Sequence, residues 1–111
     1  MNMNSLTAKS KYFITTPIFY VNASPHIGHL HSALLADAQS RFQALTGANE
    51  ILFATGTDEH GLKIQKAAEN LNYSNPETFC SDISNKYLNL FQRSNVNYSD
   101  FIRTSSDRHK V

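Results

Sequence analysis

The chain has little of what several classes of protein need. Of its 111 residues one is cysteine, Cys80, which excludes an internal disulfide and a zinc site built from several cysteines. No apolar run approaches the ~18 residues that a membrane span needs. Charge is nearly balanced, with ten basic and nine acidic residues for a net charge of +1. Because free-standing nucleic-acid binders usually carry a basic excess, the sequence predicts neither a membrane partner nor a DNA partner.

The amino-terminal segment, residues 1–11, also has few features. It carries hydroxyl and lysine side chains, and the first acidic residue of the chain is Asp37. The lack of acid and the hydroxyl content are typical of mitochondrial targeting segments, but an arginine-rich amphipathic pattern is absent. A flexible amino terminus explains the same composition. Both interpretations stay open for residues 1–11.

Strand and helix patterns alternate along the rest of the chain. The β-branched and aromatic run Lys11–Thr16 predicts a strand, and Glu50–Thr55 has the composition of a buried strand. Between them Ser24 and Pro25 are typical of a helix start. Strand, helix and strand together predict a right-handed βαβ unit with a parallel pair. The predicted apolar face of this helix is Ile27, Leu30, Leu34, Ala38, Phe42 and Leu45.

The loop before this helix and the segments after the second strand complete the pattern. Residues 18–23 predict a loop with unusually large side chains, and residues 61–71 predict a second helix. Asn75-Pro76 predicts the start of a third helix, and 101–104 predict a short strand. Ser106 could cap a fourth helix that would be cut within its first turn. Since one turn is not stable alone, the sequence predicts a truncated domain.

The densest cluster of chemical groups is at the start of the first helix. His26 and His29 stand at i and i+3 and share one face of the opening turn. Free backbone N–H groups and the helix dipole there favour phosphate, and Gly28 permits close approach of a flat ring such as adenine. Structural histidines are one alternative. A metal pair is another and would need a third ligand such as His31, His60 or Asp58.

A second cluster follows the second predicted strand, at residues 56–61. Two glycines bracket Asp58, Glu59 and His60, which predicts a turn that presents charge at the carboxyl end of a parallel strand. Asp58 is suited to an ammonium group, with Thr57 and His60 orienting it or a ribose. The alternative is a polar turn in which Asp58 or Glu59 only caps the next helix.

The motifs resemble those of a known family. His26-Ile27-Gly28-His29 resembles the signature of class I aminoacyl-tRNA synthetases, although small nucleotidyltransferases share a similar His-x-Gly-His. The flanking segment 15–22 and the segment 55–64 resemble methionyl-tRNA synthetases. Residues 101–104, followed by Arg108-His109, resemble the bacterial and mitochondrial type. The resemblance covers about residues 12–111.

The resemblance implies an α/β fold of the Rossmann-like, HUP-type nucleotide-binding class with a parallel sheet, of which this chain holds the first half only. Residues 12–111 would be the first, truncated part of the catalytic domain. The implied activity is methionine–tRNA ligase, with His26 and His29 as catalytic contacts to the ATP phosphates and Gly28 under adenine. Asp58 would receive the methionine ammonium group. Pro17, Ile18 and Tyr20 would line the methionine pocket, with Asn22, Thr57 and His60 in support.

The implied ligands are methionine, ATP with Mg²⁺, and tRNA(Met), with no protein-bound zinc in this segment. The family's second half, with its lysine-rich KMSKS-type loop, has no match here. The isolated chain is therefore predicted to form methionyl-adenylate poorly or not at all. The predicted compartment is the mitochondrial matrix, with the cytoplasm as the alternative. A truncated non-catalytic isoform and a small His-x-Gly-His nucleotidyltransferase are the alternative functions.

Overall fold

The sequence periodicities become three helices and a parallel sheet in the computed structural model, which describes residues 10–110. Most of the segment 1–11, with its two interpretations, lies outside the described residues. No helix of the described range is long and apolar enough to cross a membrane. The elements in chain order are β1 (Lys11–Thr15), β2 (Phe19–Tyr20), α1 (Ile27–Leu45), β3 (Glu50–Asp58), α2 (Leu62–Asn70), α3 (Pro76–Arg93) and β4 (Asp100–Arg103).

Strand β3 is the centre of the sheet, and every strand pairs with it in parallel. β1 pairs with its first half, β2 with its last two residues, and β4 with residues 54–57. Ala54 pairs with both Thr15 and Asp100, so β1 and β4 flank β3 on opposite sides. The predicted parallel pair of β1 and β3 is confirmed. All four strands point the same way, so the segments that follow them gather at one edge of the sheet.

The helices cover one face of this sheet. Along β3, Phe53, Thr55 and Thr57 are buried, and the Thr57 hydroxyl hydrogen-bonds that of Ser84 on α3 at 2.9 Å. The alternate residue Leu52 is 47% exposed because successive strand side chains point to opposite faces. The core therefore lies between the sheet and α3.

Helix α3 forms as the sequence predicts. Asn75 accepts the backbone N–H of Thr78 at 2.8 Å through its side chain, and Pro76 occupies the first helical position, where no N–H is needed. It supplies the main part of the core, with Phe79, Ile83, Tyr87 and Phe91 buried and Leu90 partly buried against them.

Helix α1 differs from prediction at its start and on its apolar face. It begins at Ile27 with His26 as N-cap, so the predicted start at Ser24-Pro25 is wrong; the Ser24 hydroxyl instead accepts from Lys86 at 3.0 Å. The predicted apolar face is also wrong except at Leu30, which packs against the core, since Ile27 is 84% exposed and Leu45 is 87% exposed. The buried residues are Ala33, Ala36 and Asp37. Small side chains let the helix approach its neighbours closely, and the Asp37 carboxylate accepts the backbone N–H of Asn97 and the Arg41 guanidinium.

Two other predictions are corrected by strand pairing. β3 continues to Asp58, so residues 56–58 lie in the strand and not in a turn. Its last residues pair with Phe19 and Tyr20, which turns part of the predicted loop 18–23 into β2.

The fourth helix predicted from Ser106 is wrong within the described range. Residues 104–109 form turns in which the Ser106 hydroxyl donates to the carbonyl of Arg103.

Candidate functional site

Strand β2 places two of the predicted ligand contacts side by side. Tyr20 is the register partner of Asp58, and side chains of adjacent partners lie on the same face of a sheet. The Tyr20 hydroxyl also lies over Gly61, where an added Cβ would be only 2.7 Å from it. Gly61 has a φ of +121°, which only glycine adopts easily. The chain therefore turns from Asp58 into α2 directly beneath the Tyr20 ring.

The head of α1 is closed by its own histidines. The His26 backbone N–H donates to Nδ1 of His29 at 3.0 Å, and the Gly28 N–H donates to Nδ1 of His26 at 3.0 Å. The two rings stack with centroids 3.8 Å apart. These contacts form a capping box built from histidines. The expectation of free N–H groups in this turn is therefore wrong for His26 and Gly28.

The capping box decides which ring nitrogen carries the proton. A backbone N–H only donates, so Nδ1 of both rings must accept and hold no proton. A neutral ring then carries its proton on Nε2, the nitrogen that the cap leaves free. His26 is exposed and His29 is half-buried. The helix head thus presents two Nε2–H donors, and Gly28 lies exposed between them.

His29 is held by aromatic neighbours from β2 and α3. Its Nδ1 lies 3.2 Å from the Tyr87 hydroxyl, and its ring meets that of Phe19 edge-on with centroids 5.5 Å apart. Burial, and then the nearby His26, lowers the pKa of His29 below its ordinary 6.5. Burial also raises the pKa of Tyr87 to about 12, so this hydroxyl keeps its proton. His29 is therefore a neutral donor near pH 7.

The pH dependence of stability should report this cap. Because His29 has a folded pKa below 6.5, the unfolded chain binds more protons between the two values. The free energy of unfolding is therefore expected to fall as pH drops below about 6.5 and through the folded pKa. Denaturant unfolding at a series of pH values measures this slope. His29→Gln keeps an acceptor for the cap and cannot titrate, so its slope should be flatter.

The matched control for this prediction is His31→Gln, which removes an exposed histidine one turn from the cap. Its slope should stay steeper than that of His29→Gln, because it leaves the capping box unchanged. Equal slopes for the unchanged chain and His29→Gln would contradict a role for His29 in the pH dependence.

Strand β2 joins the two clusters. Phe19 contacts His29 at the head of α1, while the next residue, Tyr20, pairs with Asp58. Phe19 itself is buried, with its ring stacked on Tyr87 at 5.5 Å. The histidine pair and the Asp58 carboxylate are therefore positioned by consecutive residues of one short strand.

The remaining predicted site residues differ in their exposure to solvent. Pro17, Ile18 and Asn22 are exposed around the ends of β2, and Ile18 is 45% exposed. Thr57 is fully buried, and its hydroxyl hydrogen-bonds that of Ser84, so it serves the contact between sheet and α3. Within residues 10–110 no three His, Cys, Asp or Glu side chains converge as metal ligands would.

Glu59, the residue after Asp58, forms a buried ion pair with Arg103 that was not predicted from the sequence. The Glu59 side chain is fully buried, and the Arg103 guanidinium donates to both of its oxygens, at 2.7 Å to Oε1 and 2.9 Å to Oε2. Hydroxyls of Ser84 and Ser105 donate to the same carboxylate. Burial would raise the pKa of Glu59, but the Arg103 and serine hydrogen bonds outweigh it and lower that pKa.

The sequence carried one signal for this pair. Glu59 and Arg103 follow or end neighbouring parallel strands, whose carboxyl ends meet at one edge. Capping of α2 was the alternative for Glu59, but the N-cap of α2 is Gly61 and the helix has no side-chain cap hydrogen bond. Gly56 makes the approach of β4 possible, because an added Cβ there would collide with the Ile102 carbonyl. The pair ties β4 to the segment that carries Asp58.

A parallel sheet with a histidine-capped helix at its carboxyl edge defines an α/β nucleotide-binding domain of the Rossmann-like class. A family model described as tRNA synthetases class I (M) matches residues 12–111. The chain therefore belongs to this family of class I aminoacyl-tRNA synthetases.

Individual relatives agree with the family match. The protein named methionine–tRNA ligase, mitochondrial, from Takifugu rubripes is 53% identical over 103 residues, which cover 93% of this chain and 17% of that protein. Its namesake from Homo sapiens is 52% identical over 101 residues, covering 89% and 17%. The solved structure of Mycobacterium tuberculosis methionyl-tRNA synthetase with methionyl-adenylate superposes with a TM-score of 0.86 at 35% identity, covering 90% of this chain and 19% of that chain. The chain thus spans less than a fifth of the length of each relative.

Proposed function

We propose that the protein is a methionine–tRNA ligase and that this chain carries the part of its active site that binds methionine and ATP. The observation that supports this most directly is the placement of Asp58 and Tyr20 beside the histidine-capped helix head by one strand. The Mycobacterium relative of the same architecture was solved with methionyl-adenylate, the product of joining those two substrates.

The amino-acid end of the proposed site is at Asp58. Its carboxylate pairs with the ammonium group of methionine, a charge-assisted hydrogen bond. Tyr20 packs beside it on the same face of the sheet, and Pro17 and Ile18 add apolar surface for the thioether side chain. Asn22 and His60 support the site from the ends of β2 and β3. The exposure of Ile18 is consistent with a surface that a ligand covers.

The nucleotide end is at the head of α1. The Nε2–H groups of His26 and His29 donate to the phosphate oxygens of ATP, and adenine lies against the exposed Gly28. ATP enters with Mg²⁺ as part of the substrate. A neutral His29 suits this role because its donor is aimed before charge develops on the phosphate.

The proposed chemistry needs positioning more than proton transfer. The methionine carboxylate is ionised near neutral pH, so it attacks the α-phosphorus without a general base. The bond from that phosphorus to the bridging oxygen breaks, and pyrophosphate leaves. The chain's contribution is to align the two substrates and to stabilise phosphate charge. The methionyl group then passes to the terminal ribose of tRNA(Met).

The compartment and the domain limits are also proposals. The relatives quoted from Takifugu and human are named mitochondrial, which supports a mitochondrial protein, and the matrix is the proposed place of action. Residues 12–111 are proposed as the first part of a catalytic domain.

Calorimetric titration tests the proposed ligands. We expect methionine to bind the chain with one site, ATP to bind separately, and leucine not to bind. Binding of ATP without methionine would favour the small nucleotidyltransferase, since its His-x-Gly-His needs no amino-acid pocket. Binding of neither ligand to a folded chain would contradict the proposal for this half-site.

A further inference from the structure

Thr104 links the end of β4 to the two residues that follow Asp58. It is 6% exposed, and its backbone N–H donates to the carbonyl of Thr57 at 3.1 Å. Its hydroxyl oxygen lies 2.9 Å from the backbone N of Glu59 and 3.0 Å from Nδ1 of His60. One buried hydroxyl therefore bridges two consecutive residues of the proposed site.

The partners of this hydroxyl determine the direction of its hydrogen bonds. The Glu59 N–H only donates, so it occupies a lone pair of the Thr104 oxygen. The hydroxyl proton still needs an acceptor, and leaving it buried without one is costly. Within residues 10–110, the acceptor within hydrogen-bonding distance of this hydroxyl is Nδ1 of His60. Nδ1 therefore carries no proton, and the neutral His60 ring is protonated on Nε2.

We infer that Thr104 is a positioning residue that holds His60 as the Nε2–H tautomer and presents that N–H as a fixed donor to an oxygen atom of the ligand. The identity of the ligand rests on the proposed function. Methionine and ATP both offer oxygen acceptors, as a carboxylate or as ribose and phosphate oxygens. His60 is an exposed residue, so the free edge of its ring is open to either.

The surroundings of His60 suit a polar ligand group. The residue lines an open groove of about 460 Å³ at the carboxyl edge of the sheet, together with Ser81, Ser105 and Lys110 but not with Asp58. Its backbone N–H donates to the Asp58 carboxylate at 3.4 Å, so a local hydrogen bond joins the two residues. A donor on His60 and an acceptor on Asp58 would recognise opposite kinds of polar group on the same ligand.

His60 would then be the same tautomer as the two histidines of α1, but a different kind of donor would fix that tautomer. Backbone N–H groups set Nδ1 of His26 and His29 as acceptors, whereas a side-chain hydroxyl from another strand does so for His60. The tautomer of His60 therefore depends on the docking of β4. A substitution at Thr104 can change it without touching the ligand.

Long-range ¹H–¹⁵N correlation spectra test the tautomer directly, without any ligand. In the neutral ring the His60 signals, assigned by their loss in His60→Asn, should show a protonated Nε2 and a bare Nδ1. Thr104→Ser should keep this spectrum, and Thr104→Val should shift it toward the Nδ1–H form. A protonated Nδ1 in the unchanged protein would overturn the inference, even if Thr104→Val does not fold.

Ligand titration tests the positioning role separately. Thr104→Val should weaken binding of methionine or of ATP by about tenfold, the loss of one hydrogen bond to a charged group, while Thr104→Ser keeps the original affinity. Unchanged affinity of both ligands for a folded Thr104→Val would overturn the positioning role. If the unchanged protein binds neither ligand, the proposed function fails while the spectrum still decides the tautomer.

Discussion

Arg103→Met should lose about 3–5 kcal/mol of the free energy of unfolding, because it leaves a buried carboxylate without its partner. The Glu59 side chain is fully buried, and Arg103 supplies the charged donors to both of its oxygens. Methionine replaces most of the buried stem of arginine, so the change isolates the charge. A loss of this size is a large part of the ~5–15 kcal/mol that usually holds a domain folded. Urea unfolding followed by circular dichroism measures it.

Two companion variants separate the buried charge from general damage. Arg108→Met breaks the ion pair between Arg108 and Asp100, whose side chains are 57% and 41% exposed respectively. Because this pair is exposed, the unfolding midpoint should stay nearly unchanged. Glu59→Gln combined with Arg103→Met removes the buried charge along with its partner and should regain part of the lost stability. Equal losses for Arg103→Met and Arg108→Met would contradict the importance assigned to burial.

Asp58→Asn should weaken methionine binding by about 10–100-fold, because a hydrogen bond to a charged group contributes about 1.5–3 kcal/mol. Asparagine keeps the size of the side chain and one oxygen, but it cannot pair with the ammonium charge. ATP binding should change little, since its proposed contacts are at the head of α1. Calorimetric titration with each ligand measures both effects.

Glu69→Gln is the matched control for this second variant. It removes a carboxylate charge from an exposed position of α2, away from the carboxyl edge of the sheet. It should bind methionine as the unchanged chain does. If Glu69→Gln loses as much affinity as Asp58→Asn, the effect is one of net charge and Asp58 does not receive the ammonium group.

Local sequence patterns predicted the elements whose signals lie within a few residues. Asn75-Pro76 started α3 as expected because a cap and a proline act on the turn that contains them. The parallel pairing of β1 with β3 followed from the helix between them, which leaves no room for a hairpin. The family resemblance rested on contiguous motifs and is confirmed by the match over residues 12–111.

Local patterns failed where two signals competed. Ser24-Pro25 has the composition of a helix start. The side chains of His26 and His29, however, accept backbone N–H groups in a capping box that sets the start of α1 at Ile27. The regular apolar positions of α1 suggested its buried face, yet contact with the sheet and α3 selected the small residues instead. Helical periodicity gives the spacing of a face but does not say which neighbour it meets.

The sequence by itself determined the order of β1, α1, β3, α2, α3 and β4, the parallel pairing of β1 with β3, the family, and the two motifs that carry Asp58 and the histidines. Only the tertiary structure decided the register of β2 on β3, which sets Tyr20 beside Asp58. The same holds for the contacts of Glu59 with Arg103 and of His60 with Thr104, partners that are 44 residues apart in the chain. Such contacts depend on how β4 docks against β3, because a hydrogen bond needs its atoms within about 3 Å. No local pattern specifies a distance of that kind between separate strands.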